Sequence, residues 1–333
     1  MNVKKVLIPL AWALASCGTP QGVPASRIAE LESELKALNG LVKTEPGDPP
    51  RLVEVDLNDR TNPHFKDYKL NTRVNDAWLE RLEGLTDLRR LDLGNADIHG
   101  PGLRHLGALT SLESLNLTLT PVTDDALEAL SGLTRLRVLG LASTRVNGTG
   151  GKYLRELRRL ENLNCHFTPV DDAGLEEIGK LQSLTRLEIV HTQFTDRGAR
   201  HLSGLVNLER LQLGSRKATG EALANLSGLS KLRELDVHDG LLTAQGFRSV
   251  GGLRTLRVLR CYGGPGGQEG VPLLAGLAGL ETLVLENTGA ADPAVEALAA
   301  LTGLRKLELR EPKVTAAAVA KLKAALPALD VVH

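Results

Sequence analysis

The chain has 333 residues, with 40 basic and 40 acidic side chains and a formal charge of zero. That balance, without any basic run, leaves no electrostatic footprint for a nucleic-acid partner. Aromatic residues make up 3% of the chain, which weakens a stacked sugar or nucleobase site, and three cysteines are too few for a disulfide framework.

Met1 to Ser16 reads as a targeting segment. Lys4 and Lys5 give it a positive start, and Val6 to Ala15 form an apolar core too short to span a bilayer as a permanent helix. The core ends Leu14-Ala15-Ser16-Cys17, which resembles the lipobox of bacterial lipoproteins. The resemblance implies cleavage before Cys17 and a diacylglycerol thioether on its sulfur. The other reading is an ordinary secretory signal with a chance cysteine. Gly18 stands where aspartate would signal inner-membrane retention, so the same resemblance points to the outer membrane in a Gram-negative cell. Two or more acyl chains, at ~0.8 kcal/mol per buried CH₂, hold a protein stably on a bilayer.

Gly18 to Ala25 reads as a Gly/Pro linker. Ser26 to Leu38 reads as a helix with Ser26 as its N-cap, an apolar stripe of Ile28, Leu31, Leu35 and Leu38, and a stop at Asn39-Gly40. It is either a stem or a cap over the first repeat. Thr44 to Pro50 reads as a second linker. Leu52, Val55 and Leu57 look like the strand of an irregular first unit, whose outer half returns at Val74 to Leu82. An excess between Asn58 and Arg73 carries Pro63, Phe65 and Tyr68. That excess either folds over the N-terminal edge or binds a partner.

From Leu85 to Leu309 a 24-residue period never slips. Leu109, Leu112 and Leu115 open one unit, and the same three leucines recur from Leu85-Leu88-Leu91 to Leu301-Leu304-Leu307. A repeat this regular is structural. The next step, as in Leu115 and Leu117, places two apolar side chains on one face of a short strand. The pair Leu127 and Leu130, three apart, suits a helix. A unit of strand, turn and helix cannot bury its own apolar face, so units must stack into a parallel sheet with right-handed crossovers. Each buried leucine is worth roughly 1.5–3 kcal/mol. The unit LxxLxxLxLxxTxVTDxxLxxLxxL resembles the leucine-rich repeat superfamily in a 24-residue bacterial form. The resemblance implies an α/β solenoid with the parallel sheet on the concave side and short helices on the convex side. It also implies a binding protein rather than an enzyme. The expected division is a signal peptide over 1–16, a lipidated N-terminus with linker and helix over 17–50, and a repeat domain over 51–333. Within the last lie an irregular unit (51–84), ten regular units (85–324) and a C-terminal cap (325–333), the cap shifted by one residue at Leu326 and Leu329.

At the turn, Thr120, Thr144, Thr168, Thr192 and Thr288 stand where many relatives carry asparagine. Thr123-Asp124 and Thr195-Asp196 are expected to cap the helices that follow them. The Gly-rich run Gly263 to Gly270 is either a slack turn or a widened ligand face. Gly148 to Lys152 fails as a phosphate loop, because Val146 and Tyr153 stand at its required Gly and Ser/Thr sites. Cys165 and Cys261 both take the inward strand position four units apart, ~19 Å at ~4.8 Å per strand, and read as buried leucine substitutes. No Ser/His/Asp order or zinc spacing is visible, and His166, His191 and His238 lack the further ligands a metal site needs.

The concave sheet face remains. Parallel register sets residue n beside n+24, so its middle presents Asn162, Asn164 and His166, then Arg186 and Glu188, then Arg210 and Gln212, then Glu234, Asp236 and His238, then Arg260 and Tyr262. Just before this row, Arg89, Glu113, Arg137 and Glu161 alternate in charge. The expectation is a lipid-anchored protein of the bacterial cell envelope that binds a protein partner through this face. It takes no cofactor, metal, nucleic acid or small-molecule substrate. A structural envelope scaffold and an internalin-like surface adhesin are the alternatives.

Overall fold

A computed structural model describes residues 23–47, 50–58 and 70–333. The signal segment with Cys17, the first part of the linker after it, and Pro63, Phe65 and Tyr68 lie outside the described residues.

The 24-residue register is the organising fact of the fold. Asn162 pairs with Arg186, Arg186 with Arg210, Arg210 with Glu234 and Glu234 with Val258, all parallel. Among the described residues, twelve strands run parallel this way in one sheet, joined at its N-terminal edge by an antiparallel strand, Leu41–Glu45. The three leucine columns from Leu85 to Leu307 are at most 5% exposed and belong to one continuous core. The crossover segments are mostly 3₁₀ turns, such as Asp124–Leu130 and Gly220–Leu226, with short α-helices at Asp172–Ile178 and Ala244–Gly251. A 3₁₀ turn returns every three residues, which suits the spacing of Leu127 and Leu130.

The N-terminal edge differs from the sequence reading in three ways. The helix spans Ala25–Ala37 with Pro24 as its N-cap, and Ser26 makes no capping bond. Pro24 supplies the entry instead: its carbonyl accepts from the Arg27 and Ile28 N–H groups. Thr44 and Glu45 are not linker but the end of a strand that folds back on Arg51–Asp56, so the sheet begins ahead of residue 51. Asn71–Asn75 pairs with Ala96–Asp97 in a separate two-stranded sheet. Asn39-Gly40 does end the helix. Asn39 takes φ 60°, and the Asn39 and Gly40 N–H groups donate to the Lys36 and Leu35 carbonyls. The helix lies over the end of the core. Leu31 and Leu35 join the core, the Trp78 indole N–H donates to Glu34 at 3.1 Å, and Arg81 pairs with Glu34 at 2.9 Å.

The excess before the first regular unit leaves the register intact: Val55 pairs with Leu91, 36 residues on. At the other end the leucines slip by one residue, yet Lys306 pairs with Asp330 and Leu307 with Val331, restoring the period.

Contacts between coils explain the rest of the consensus. The turn threonines are buried, and the Thr120, Thr144 and Thr168 hydroxyls donate to the Leu117, Leu141 and Cys165 carbonyls at 2.6–2.7 Å. In one unit Ser215 takes the inside position a residue early, donating to Phe194 O at 2.6 Å, and the strand register shifts there.

The aspartates act across coils, which corrects their expected role as caps of their own helix. Asp124 accepts from the N–H groups of Asn147 (2.7 Å), Gly148 (3.0 Å) and Gly150 (2.7 Å) in the following unit. Thr123 makes no capping bond, whereas Thr195 accepts from the Arg197 N–H. Asp76 repeats the clamp on His99, Gly100 and Gly102, and Asp172, Asp196 and Asp292 hold the next unit's threonine. Burial opposes charge on Asp172, but the Thr195 N–H and hydroxyl and Arg197 outweigh it and lower its pKa. At Asp292 the Thr315 N–H and hydroxyl lower it.

The glycine-rich run is not slack. A Cβ on Gly270 would fall 2.3 Å from the Phe247 ring, and one on Gly267 2.5 Å from the Thr288 hydroxyl. Gly270 makes room for Phe247, which is fully buried, and Gly267 for the buried Thr288 of the next coil.

Candidate functional site

The sheet places the expected residues in two rows. Asn162, Arg186, Arg210 and Glu234 stand side by side, and so do Asn164, Glu188, Gln212, Asp236 and Arg260. Several are committed within the protein. Asn164 Oδ1 accepts the His166 N–H at 2.9 Å, a turn that closes the strand. Arg210 pairs with Glu234, and Arg260 pairs with Asp236 at 2.9 Å and approaches Glu234 at 3.9 Å. Asp236 is 7% exposed, and burial raises its pKa despite Arg260. On Arg260 burial works against the charge, and the bond to Asp236 raises the pKa over it. Arg186 has no carboxylate partner among the described residues. Of the outer ladder, Arg137 pairs with Glu161 at 2.8 Å, but Arg89 turns to Glu45 rather than Glu113.

The third row forms a ribbon of rings along one rim. His166 and Phe167 lie 6.4 Å apart between centroids, Phe167 and His191 4.5 Å, His191 and His238 6.3 Å, and His238 and Tyr262 4.4 Å. His166 Nδ1 accepts the Val190 N–H at 3.2 Å, which leaves Nε2 to donate to Gln212 Oε1 at 2.8 Å. Asp239 reaches over an intervening coil to His191: it accepts from the His191 N–H at 3.1 Å and contacts Nδ1 at 3.0 Å. Gly214 permits this crossing, because a Cβ there would fall 2.8 Å from Asp239 Oδ2.

Sequence reasoning missed Phe167 and Asp239. It followed the strand's alternation and stopped where the chain turns. The turn residue is left-handed in five successive coils, at Asn95, Leu119, Ser143, Phe167 and His191, and, after the coil where Ser215 shifts the register, again at Asp239. That column recurs at the repeat length and was open to detection.

A sequence family described as leucine-rich repeat matches residues 108–131 and 180–203. No curated protein matches the sequence. Among solved structures, an internalin from Listeria monocytogenes superposes with a TM-score of 0.52 at 21% identity, over 76% of this chain and 75% of that one. The chain has the leucine-rich repeat fold. Internalin C2 of the same organism (TM-score 0.46, 19% identity, 63% of this chain and 80% of that one) and a leucine-rich repeat protein of Leptospira interrogans (0.46, 17%, 76% and 80%) are similar at lower superposition.

Among the described residues of this leucine-rich repeat fold, no three His, Cys, Asp or Glu side chains converge to hold a metal ion. Cys165 and Cys261 are buried, and burial pushes the Cys165 thiol up to about 12 and raises Cys261 as well. No described helix is long and apolar enough to cross a membrane.

Burial pushes His238 down to about 4, helped by His191 and His166 and opposed by Asp239. The unfolded imidazole, near 6.5, binds protons that the folded one refuses. Stability should therefore fall as pH drops from about 6.5 to about 4, by on the order of 1–2 kcal/mol after solvent screening. Urea midpoints at pH 7 and pH 4.5 should show this loss, and His238→Gln should remove that part of it. An unchanged pH response in the variant would contradict the assignment.

Proposed function

We propose that this protein is a non-catalytic, lipid-anchored component of the bacterial cell envelope that binds a protein partner through its concave face. The observation that carries the reading is the rim ribbon beside two mixed-charge rows, with Phe167 62% exposed at one end in a chain poor in aromatic residues. Stacked rings and ion pairs hold this face in shape before binding, so little side-chain entropy remains to be lost. Phe167, Tyr262 and Arg186 are the anchors we assign. Asn162, Glu188, Gln212 and His166 supply polar contacts around them. Arg210, Glu234, Asp236 and Arg260 brace the surface through their mutual pairs.

The anchor reading rests on the lipobox-like Leu14-Ala15-Ser16-Cys17, with residues 1–16 removed and Cys17 acylated. Mature protein extracted from its own membranes should react with Ellman's reagent at no site while folded. On denaturation it should yield two thiols, Cys165 and Cys261. A third thiol would mean that Cys17 carries no thioether.

The binding reading is tested by affinity capture from envelope extracts with quantitative mass spectrometry. The double variant Arg186→Glu, Tyr262→Ala should lose a specific partner at least tenfold, since anchor truncations cost about 2 kcal/mol or more. Equal recovery of every partner by both forms would overturn the concave site. Protease shaving of intact cells separates an adhesin on the outer leaflet, which is cleaved, from a protected periplasmic protein.

A further inference from the structure

The left-handed turn column places four side chains in the same backbone conformation on successive coils: Leu119 (φ 64°), Ser143 (55°), Phe167 (54°) and His191 (57°). Their stacking is regular. The Leu119, Ser143 and Phe167 N–H groups donate to the Ala142, His166 and Val190 carbonyls of the next coil at 2.8, 2.8 and 3.0 Å. Equal backbone geometry projects the four side chains in parallel, one coil step of ~4.8 Å apart. That step is a ring-stacking distance, and the Phe167 and His191 rings use it, with centroids 4.5 Å apart and planes 32° from parallel. On its other side Phe167 faces the place above Ser143, where the side chain is too small to fill a rung. Leu119 stands one step beyond. By that spacing the column has room for one more ring over Ser143, between Phe167 and Leu119. Phe167 itself is 62% exposed.

We propose that this notch receives an aromatic side chain of the protein partner, whose ring stacks on Phe167 and extends the ribbon by one rung. The inference rests on the concave binding reading and names the chemistry it recognises. Three features select a flat, uncharged group: two apolar side chains about two coil steps apart, a short hydroxyl between them, and the absence of any ionisable group on Leu119, Ser143 or Phe167. A saturated aliphatic chain fills the same space without the ring–ring attraction, which is worth a factor of about three to ten.

The test is an NMR titration of the folded mature protein with N-acetyltryptophanamide, N-acetylleucinamide and methyl N-acetylglucosaminide. The expected result is ring-current shifts of the Leu119 methyls and Phe167 ring protons with the tryptophan probe. Binding of the leucine probe should be about three- to tenfold weaker. Ser143→Phe, which fills the rung from within, should abolish these shifts while leaving Tm unchanged, and Phe167→Ala should weaken them at least as much as the leucine comparison. Equal shifts in wild type and Ser143→Phe, preference for the sugar, or no shift at Leu119 and Phe167 at saturating probe would each overturn the proposal. If the notch fails while Arg186→Glu, Tyr262→Ala still loses the partner, the inference falls and the concave binding reading stands. If the notch takes the ring while that double variant captures normally, the binding reading falls instead.

Discussion

Replacing Gly174 by valine is expected to destabilise the protein by about 3 kcal/mol, the upper end of the usual cost of overpacking. A Cβ at this site would fall 2.0 Å from the Asn147 carbonyl oxygen and 3.0 Å from Gly148 Cα. Both are backbone atoms of the preceding coil, so no side chain can swing away. The same place in other coils holds Gly102, Ala126, Gly150, Gly198, Ala222, Gly246, Gly270 and Ala294, all small. A Cβ on Gly102 would lie 2.3 Å from Asp76 O, and one on Gly150 2.7 Å from Asp124 O, each in the preceding coil. This column lets the outer turns approach at the spacing that the strands impose on the opposite side. Urea midpoints check the prediction, with Gly228→Ala as control. Nothing lies within 4 Å of a Cβ there, and that change should be neutral or stabilising by a few tenths of a kcal/mol, about 0.4 or more where the backbone suits alanine. Because a solenoid is held by nearest-neighbour interfaces, hydrogen exchange should accelerate mainly in the coils flanking Gly174. A midpoint unchanged in Gly174→Val would mean that the coils are not packed as described.

Asp124→Ala should cost about 3 kcal/mol, since bonds to a charged acceptor are worth about 1.5–3 kcal/mol each and three N–H groups lose theirs together. Those donors are Asn147, Gly148 and Gly150, at 2.7, 3.0 and 2.7 Å. Gly148 has φ 96°, a left-handed turn that the carboxylate holds in place. Asp124→Asn keeps one acceptor oxygen and should lose about half as much. The neighbouring Asp125 is exposed and lies outside the clamp, whose three N–H groups all bond Asp124, and Asp125→Ala should change stability by less than about 0.5 kcal/mol. Equal effects at Asp124 and Asp125 would show that the clamp contributes nothing beyond helix-end electrostatics.

The clamps also set an acid limit. Asp172 and Asp292 have pKa values lowered by folding, so the stability they add is present above the ordinary carboxylate range. It is lost as pH falls through their folded values, below about 4. His238 acts at higher pH, between about 6.5 and 4. The two losses therefore follow in order on acidification, the imidazole first and the carboxylates after it.

The chain by itself determined the repeat, its register and its core. A leucine every third residue, returned at 24, admits one arrangement in which every unit buries its apolar face. The strand pairs follow that count from Leu91 to Val331. The two rows of the concave face were legible for the same reason, because alternation along a strand is a local rule.

The tertiary structure decided what happens where the chain leaves the strand. A left-handed residue re-aims the side chain, so Phe167 and His191 reach the rim instead of following the alternation. Asp124 serves the unit after its own, and Asp239 serves a unit two coils earlier, 48 residues away in sequence. Glu45 leaves an apparent linker to pair with Arg89 across the sheet edge. Pairing within a strand depends on neighbours that the period already names. Contacts made by turns depend on backbone direction and on which side chain is missing opposite, as at Gly214, and those are fixed only when the coils are stacked.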